Sequence, residues 1–196
     1  MRVLVPATLA TLARAVRAGS LDVGDGTAFA VTPASWEMHS DGDAEELELL
    51  AAEAAAAASL RMLAAAGAVP PRRVVLSVDV PDAQVRIPGP DGGRPDPTAA
   101  DPAADGEDAD GEDVGEPERV QLNGPVPLDA VASVHLDPAS MAATVTAALP
   151  VAAEPPLELG AFPEGPAWQA RDDLEASPLL WYDRSEIDAL VQEVTP

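Results

Sequence analysis

An α+β domain built on a mixed or mainly antiparallel sheet is the fold class this chain predicts. Three observations carry the expectation. Short apolar runs and amphipathic stretches follow one another as β-α-β-α-β-β-α with one late extra strand. The stretch Asp43–Gly67 reads as one long alanine-rich helix with both ends marked. The segment Arg73–Val80 alternates as a strand should, with Val74, Leu76, Val78 and Val80 on one face. A chain of 196 residues suits one domain with a single core.

The elements can be justified in order. Arg2–Pro6 is a strand expected to stop at its proline. Thr8 caps a helix carrying Leu9, Leu12, Ala13 and Val16 on one side, with Arg14 and Arg17 on the other, and Gly19 ends it. Thr27–Val31 is a second strand, and Thr32-Pro33 opens a short helical turn with Trp36 and His39 on it or just beyond. Asp43 caps the long helix, Glu46 suggests a capping box, and Gly67 with Pro70 and Pro71 closes it. Leu47, Leu50, Ala51, Ala54, Ala58 and Met62 form its stripe, yet Leu49, Leu60 and Leu63 fall outside it. That helix is therefore expected to lie on a sheet and to be partly covered again.

Val75, Ser77 and Asp79 form the second face of the Arg73–Val80 strand, expected nearer to water. Gln84–Ile87, Arg119–Leu122 and Val131–Leu136 are further strands, with a turn at Gly124–Leu128. Asp137-Pro138 is read as the cap of a helix carrying Met141, Val145 and Leu149. Residues 150–178 are proline-rich and read as an irregular surface-wrapping tail, with Phe162 and Trp168 as anchors. Leu179–Tyr182 is the late strand, and Ser185 caps a last short helix with Ile187, Leu190 and Val191.

Composition excludes several function classes. The chain has no cysteine, so disulfides, thiolate catalysis and cysteine-ligated metals are out. Net charge is −23, and eleven acidic residues between Asp91 and Glu118 face Arg94 alone. Such a field repels phosphate backbones, and the pair Arg72-Arg73 is too small to override it, so no nucleic-acid partner is expected. Residues 88–118 read as a disordered acidic insertion between two strands. No apolar run is read as long enough to span a membrane, and the N-terminus lacks a signal-peptide core, so no membrane partner and a cytoplasmic location are expected.

Met1–Thr8, Thr27–Pro33, the Glu45–Glu48 helix start and the Leu180–Tyr182 tail together resemble an uncharacterised actinobacterial family without an assigned activity. A second resemblance concerns fold. The short first strand, the helix ending Ala18-Gly19, the strand before Thr32, the strand ending Val78-Asp79 and Gly124–Val131 are similar to small bacterial proteins of the ADP-ribosyltransferase-like fold. Those proteins place a histidine in the first strand, where this chain has Val3, Leu4 and Val5. The resemblance implies an ADP-ribosyltransferase-like sheet; a ferredoxin-like sandwich is the alternative that the element order allows.

The candidate chemistry is thin. The repeat Asp105-Gly106-Glu107-Asp108 and Asp110-Gly111-Glu112-Asp113 invites a calcium-loop reading. With Gly111 at the sixth position, Gly106 and Pro117 fall where carboxylates are required, so that reading fails. His39 and His135 are the only histidines and lack ligand spacing, so no metal and no cofactor is expected. Ser77, Asp79, Ser133 and His135 share one sheet face if their strands are neighbours, with Val131 beside them. No nucleophile-elbow motif accompanies them, and no catalytic residue is assigned. Trp36, Trp181 and Tyr182 are read as core anchors.

Two functions follow as expectations. The first is a non-enzymatic interaction or regulatory domain with a protein partner. The second is a small-ligand or dinucleotide binder on a degenerate ADP-ribosyltransferase-like fold, its cleft lined by Thr32, Trp36, Asp79 and His135.

Overall fold

A computed structural model describes residues 1–67, 70–87, 116–154 and 164–192. The expected insertion lies outside the described residues over 88–115, as does Phe162. Its last three residues are inside the fold: Glu118 is buried, and Glu116 pairs with Arg61 at 3.2 Å.

The chain is α+β with an antiparallel sheet. β1 (Arg2–Ala7) leads into α1 (Leu9–Ala18), β2 (Ser20–Leu21) and β3 (Thr27–Phe29). Then come α2 (Pro33–Met38), α3 (Ala44–Ala66), β4 (Val74–Asp79) and β5 (Val85–Arg86). β6 (Arg119–Leu122), β7 (Val126–Pro127), β8 (Val131–Leu136), α4 (Ala142–Ala148), α5 (Pro166–Glu175), β9 (Leu180–Asp183) and α6 (Ile187–Gln192) complete it. Seven strands form one sheet in the order β5-β6-β3-β1-β4-β8-β9, while β2 and β7 make a separate two-stranded ribbon. Every pairing among the described residues is antiparallel. β1 lies directly beside β4, in register from Arg2↔Asp79 to Ala7↔Val74.

Local chemistry sets most helix ends where the sequence predicts them. The Thr8 hydroxyl accepts from the Thr11 amide, and Gly19 ends α1 at φ 72°. Thr32 and Ser35 form a reciprocal capping box on α2, and Asp43 accepts from the Glu46 amide on α3. Two expected caps are corrected. Asp137 caps nothing, because its carboxylate is bound to Arg73, and Pro138 precedes the next helical turn without a side-chain cap. At the C-terminus Asp183, not Ser185, is the cap, in a capping box with Glu186.

Both faces of the sheet are covered. On one, Val3, Val5, Leu76, Val134 and Leu136 pack against Leu9 and Leu12 of α1, Leu21 and Val126 of the ribbon, and Ile187 and Leu190 of α6. On the other, Phe29 and Val75 pack under Ala51, Ala55 and Ala58 of α3. Small alanine side chains let this helix sit close to the strands. The second face of β4 is thus drier than its sequence suggests: Val75 and Ser77 are buried, and only Asp79 reaches water. The far half of α3 is covered again by Leu60 and Leu63 packing with Val145 and Ala148 of α4 and Ala170 and Leu174 of α5.

By length and composition α3, with 23 residues, qualifies to cross a bilayer, which corrects the expectation that no run does. Here it is a helix packed on β1, β3 and β4 instead. Ser59 pins it there. Its hydroxyl donates to the Ala7 carbonyl at 2.7 Å and accepts from the Val74 amide at 2.9 Å. Ser59→Ala is expected to lower stability by about 1–3 kcal/mol, since two buried backbone groups lose their partner. Urea unfolding checks this; a loss under about 0.5 kcal/mol would mean that water reaches the two groups.

Three further departures have local causes. β1 does not stop at Pro6 but runs to Ala7, because Pro6 and Ala7 remain opposite Val75 and Val74 of β4. Its β3 side is in register at Leu4↔Phe29 and is not continued at Pro6, which has no amide hydrogen to donate. In β8 a bulge between the Ser133 and Val131 pairings leaves Ala132 extra. It puts Val131 on the same face as Val134, so Val131 does not share a face with Ser133 and His135. The irregular tail contains α5, and Val151 and Ala152 at its start are buried. The Arg171 guanidinium lies over the Trp168 ring at 5.4 Å.

Candidate functional site

β4 and β8 are neighbours, and Ser77 stands opposite Ser133. Ser77, Ser133 and His135 therefore share a face, as the alternation predicts. The Ser133 hydroxyl and His135 Nε2 are 3.2 Å apart. Burial lowers the imidazole's proton affinity, which favours its neutral form. Among the described residues no carboxylate is bonded to the ring. Asp79 bonds through both oxygens to Arg2, at 2.8 and 3.0 Å, and that guanidinium holds its carboxyl below the usual range. Asp79 also lies level with Arg2, whereas His135 is level with Val75, about 13 Å along the strand. A nucleophile-base-acid relay is not assembled.

Nor do the four predicted cleft residues come together. Thr32 is buried as the cap of α2, and its hydroxyl donates to the Pro117 carbonyl at 2.5 Å, tying residues 116–118 to the fold. Trp36, on α2, is 43% exposed and anchors no core. Asp79 and His135 belong to strands on the other side of β1 from β3 and α2. Among the described residues no group of three or more His, Asp or Glu is arranged to hold a metal ion.

What the sheet does present is an unusual edge. Among the described residues β9 is the last strand in the sheet order, paired with β8 on one side only. Leu180 is 46% and Trp181 61% exposed, so Trp181 is not the core anchor that the sequence suggests; Tyr182 does pack against the core. Trp181 stands opposite His135, and Asp183 opposite Ser133. These pairings put Trp181 and Asp183 on one face of β9, two residues apart. Beside this edge lies an open hollow of about 830 Å³, lined by Asp79, Asp129, Asp183, Arg184 and Ser185 among others. The Ser185 hydroxyl and amide bond to Asp183 and keep its carboxyl below the usual range. Arg184 is turned toward the Asp129 carbonyl at 3.1 Å.

A second concavity, of about 500 Å³, opens between α1 and α3. Arg14, Arg61 and Arg119 line it together with Asp22, Asp25 and Glu116. Nothing in the spacing of these residues signals their meeting, because they come from two helices, a loop and the return of the chain after the insertion.

No curated protein and no solved structure matches the chain. A family model does match it, over residues 1–191, and so takes in every strand and nearly all of α6. The chain belongs to a family of unknown function, DUF6912.

Proposed function

We propose that this chain is a cytoplasmic, non-enzymatic interaction domain that takes an extended segment of a partner protein onto the outer edge of β9. The observation that carries this is Trp181, 61% exposed on the last strand of an antiparallel sheet. Edge strands are normally blunted by lysine, proline or a bulge, and β9 carries an outward indole instead. An added strand gains affinity from main-chain hydrogen bonds and specificity from alternate side chains.

Charge decides the kind of segment. Asp183 follows Trp181 on the same face, and Asp79 and Asp129 line the adjoining hollow. The matching segment has an apolar side chain beside Trp181 and a basic one two residues away. A second copy of this chain is the poorer occupant, since each copy carries −23.

Selection of displayed peptides against the full chain tests this. Enrichment of an apolar-x-basic pattern is expected, with binding reduced at least tenfold by Trp181→Ser and severalfold by Asp183→Asn, which keeps the helix cap. A pattern indifferent to both substitutions would overturn the proposal. So would a dimer in sedimentation that Trp181→Ser abolishes, because the occupant would then be a second copy.

A dinucleotide binder of ADP-ribosyltransferase-like descent is the second reading. Of the residues it needs, Thr32 and Trp36 stand at α2 while Asp79 and His135 stand on β4 and β8, so no observation favours it over the first.

A further inference from the structure

The 500 Å³ cleft between α1 and α3 has a physical origin in Pro6. α1 leaves one face of the sheet and α3 crosses the other, and between them β1 and β3 are not bridged at Pro6. The opening is floored by Pro6, Ala58 and Met62 and walled by Arg14, Arg61 and Arg119. In a chain of net charge −23, with no lysine and only 11 arginines, three guanidiniums on one cleft stand out.

Their partners matter more than their number. Among the described residues Arg14 reaches only the Thr11 hydroxyl, at 3.4 Å, and Arg119 only the Thr27 hydroxyl, at 3.2 Å. Both are neutral acceptors, although the chain has 34 carboxylate side chains. Arg61 does hold a carboxylate, Glu116 at 3.2 Å, but the two side chains are 41% and 35% exposed, so water screens the pair and it exchanges readily. The other two acids are engaged with the chain itself. Asp22 accepts from the Gly24 amide at 3.1 Å and Asp25 from the Thr27 amide at 3.0 Å.

We infer that this cleft binds a phosphate monoester with an apolar body, held by the Arg14, Arg61 and Arg119 guanidiniums. An arriving phosphate replaces two weak bonds to hydroxyls with charge-assisted bonds, roughly twice as strong, and competes with Glu116 for Arg61. Phosphate offers three oxygens to three planar forks, which a single carboxylate does not. The volume suits a small organic ligand, and Ala58 and Met62 give its apolar part a surface. This goes beyond the β9 reading and shares no residue with it.

Titration of the isotope-labelled full chain with phenyl phosphate and with inorganic phosphate, at constant ionic strength, tests the inference by amide chemical shift. Saturable shifts are expected at Thr11, Arg14, Asp25 and Thr27, with phenyl phosphate the tighter ligand. Arg14→Gln with Arg119→Gln should weaken binding about tenfold or more, without moving the melting temperature, since both side chains are exposed. Glu116→Gln should tighten it about threefold by releasing Arg61. Absence of saturable shifts, or shifts unaltered by the arginine substitutions, would overturn the site. Equal affinity for the two probes would overturn the monoester assignment.

Discussion

Asp137→Ala is expected to cost about 3–5 kcal/mol, because it strands a buried guanidinium. Asp137 is fully buried, and the Arg73 side chain is 5% exposed. The carboxylate accepts from Arg73 Nη2 at 2.8 Å, from Nε at 3.0 Å and from the Arg73 amide at 2.8 Å. Arg73 also donates to the Ser177 carbonyl at 3.3 Å, and Arg72 Nε to the Asp137 carbonyl at 2.7 Å. The Arg73–Asp137 pair thus joins the start of β4 to the end of β8, and through Arg73 to the approach to β9. Removing it leaves a charge with no counter-ion in low dielectric, which costs more than the pair gained on forming. Asp137→Asn, which keeps an acceptor and loses the charge, should fall between. The double replacement Arg73→Met with Asp137→Leu should recover most of the loss, because no unpaired charge remains. Urea unfolding of the four proteins gives the cycle. A loss under about 1 kcal/mol for Asp137→Ala would show that solvent reaches the arginine.

That ion pair also shows where reading the sequence runs out. Thr8, Thr32 and Asp43 are legible as caps because the donor they satisfy lies two or three residues away. Alternation along β4 and β8 places Ser77, Ser133 and His135 on one face for the same local reason. Asp137 before Pro138 carries the local signature of a cap, yet its partner is 64 residues back and wins the carboxylate. Ser59 looks like one more small residue in an alanine run, and its two partners belong to strands on either side of it in sequence. The bulge at Ala132 changes which face Val131 takes, and nothing in an apolar alternation marks it. α5 is a different kind of miss. Gly165-Pro166 is a usable helix start, but the surrounding prolines suggested an irregular segment. The arginine cleft is the least legible feature, since Arg14, Arg61 and Arg119 meet only once the sheet has put α1, α3 and β6 at one end of β1.

Gly26→Ala is the second large effect, expected at about 3 kcal/mol or more, and it links stability to the cleft. Gly26 has φ +80°, a region that side-chain-bearing residues rarely adopt. A β-carbon there would stand 2.4 Å from the Leu122 carbonyl oxygen and 2.4 Å from Gln121 Nε2. The glutamine side chain can swing away, at the loss of its bond to the Asp25 carbonyl. The carbonyl cannot, because the Leu122 amide is itself bonded to the Gly26 carbonyl at 2.7 Å. The loop must therefore part from β6. Gly24 is the control: its φ is +60°, but nothing lies within 4 Å of its would-be β-carbon, so Gly24→Ala should cost only about 1 kcal/mol. Gly26 sits between Asp25 and Thr27, and Arg119 bonds to Thr27 from β6. Parting the loop from β6 should therefore weaken phenyl phosphate binding in Gly26→Ala, at a temperature where the variant is still folded, and leave it intact in Gly24→Ala. Equal melting temperatures for the two variants would mean that loop and strand are not in the close contact that shapes this wall.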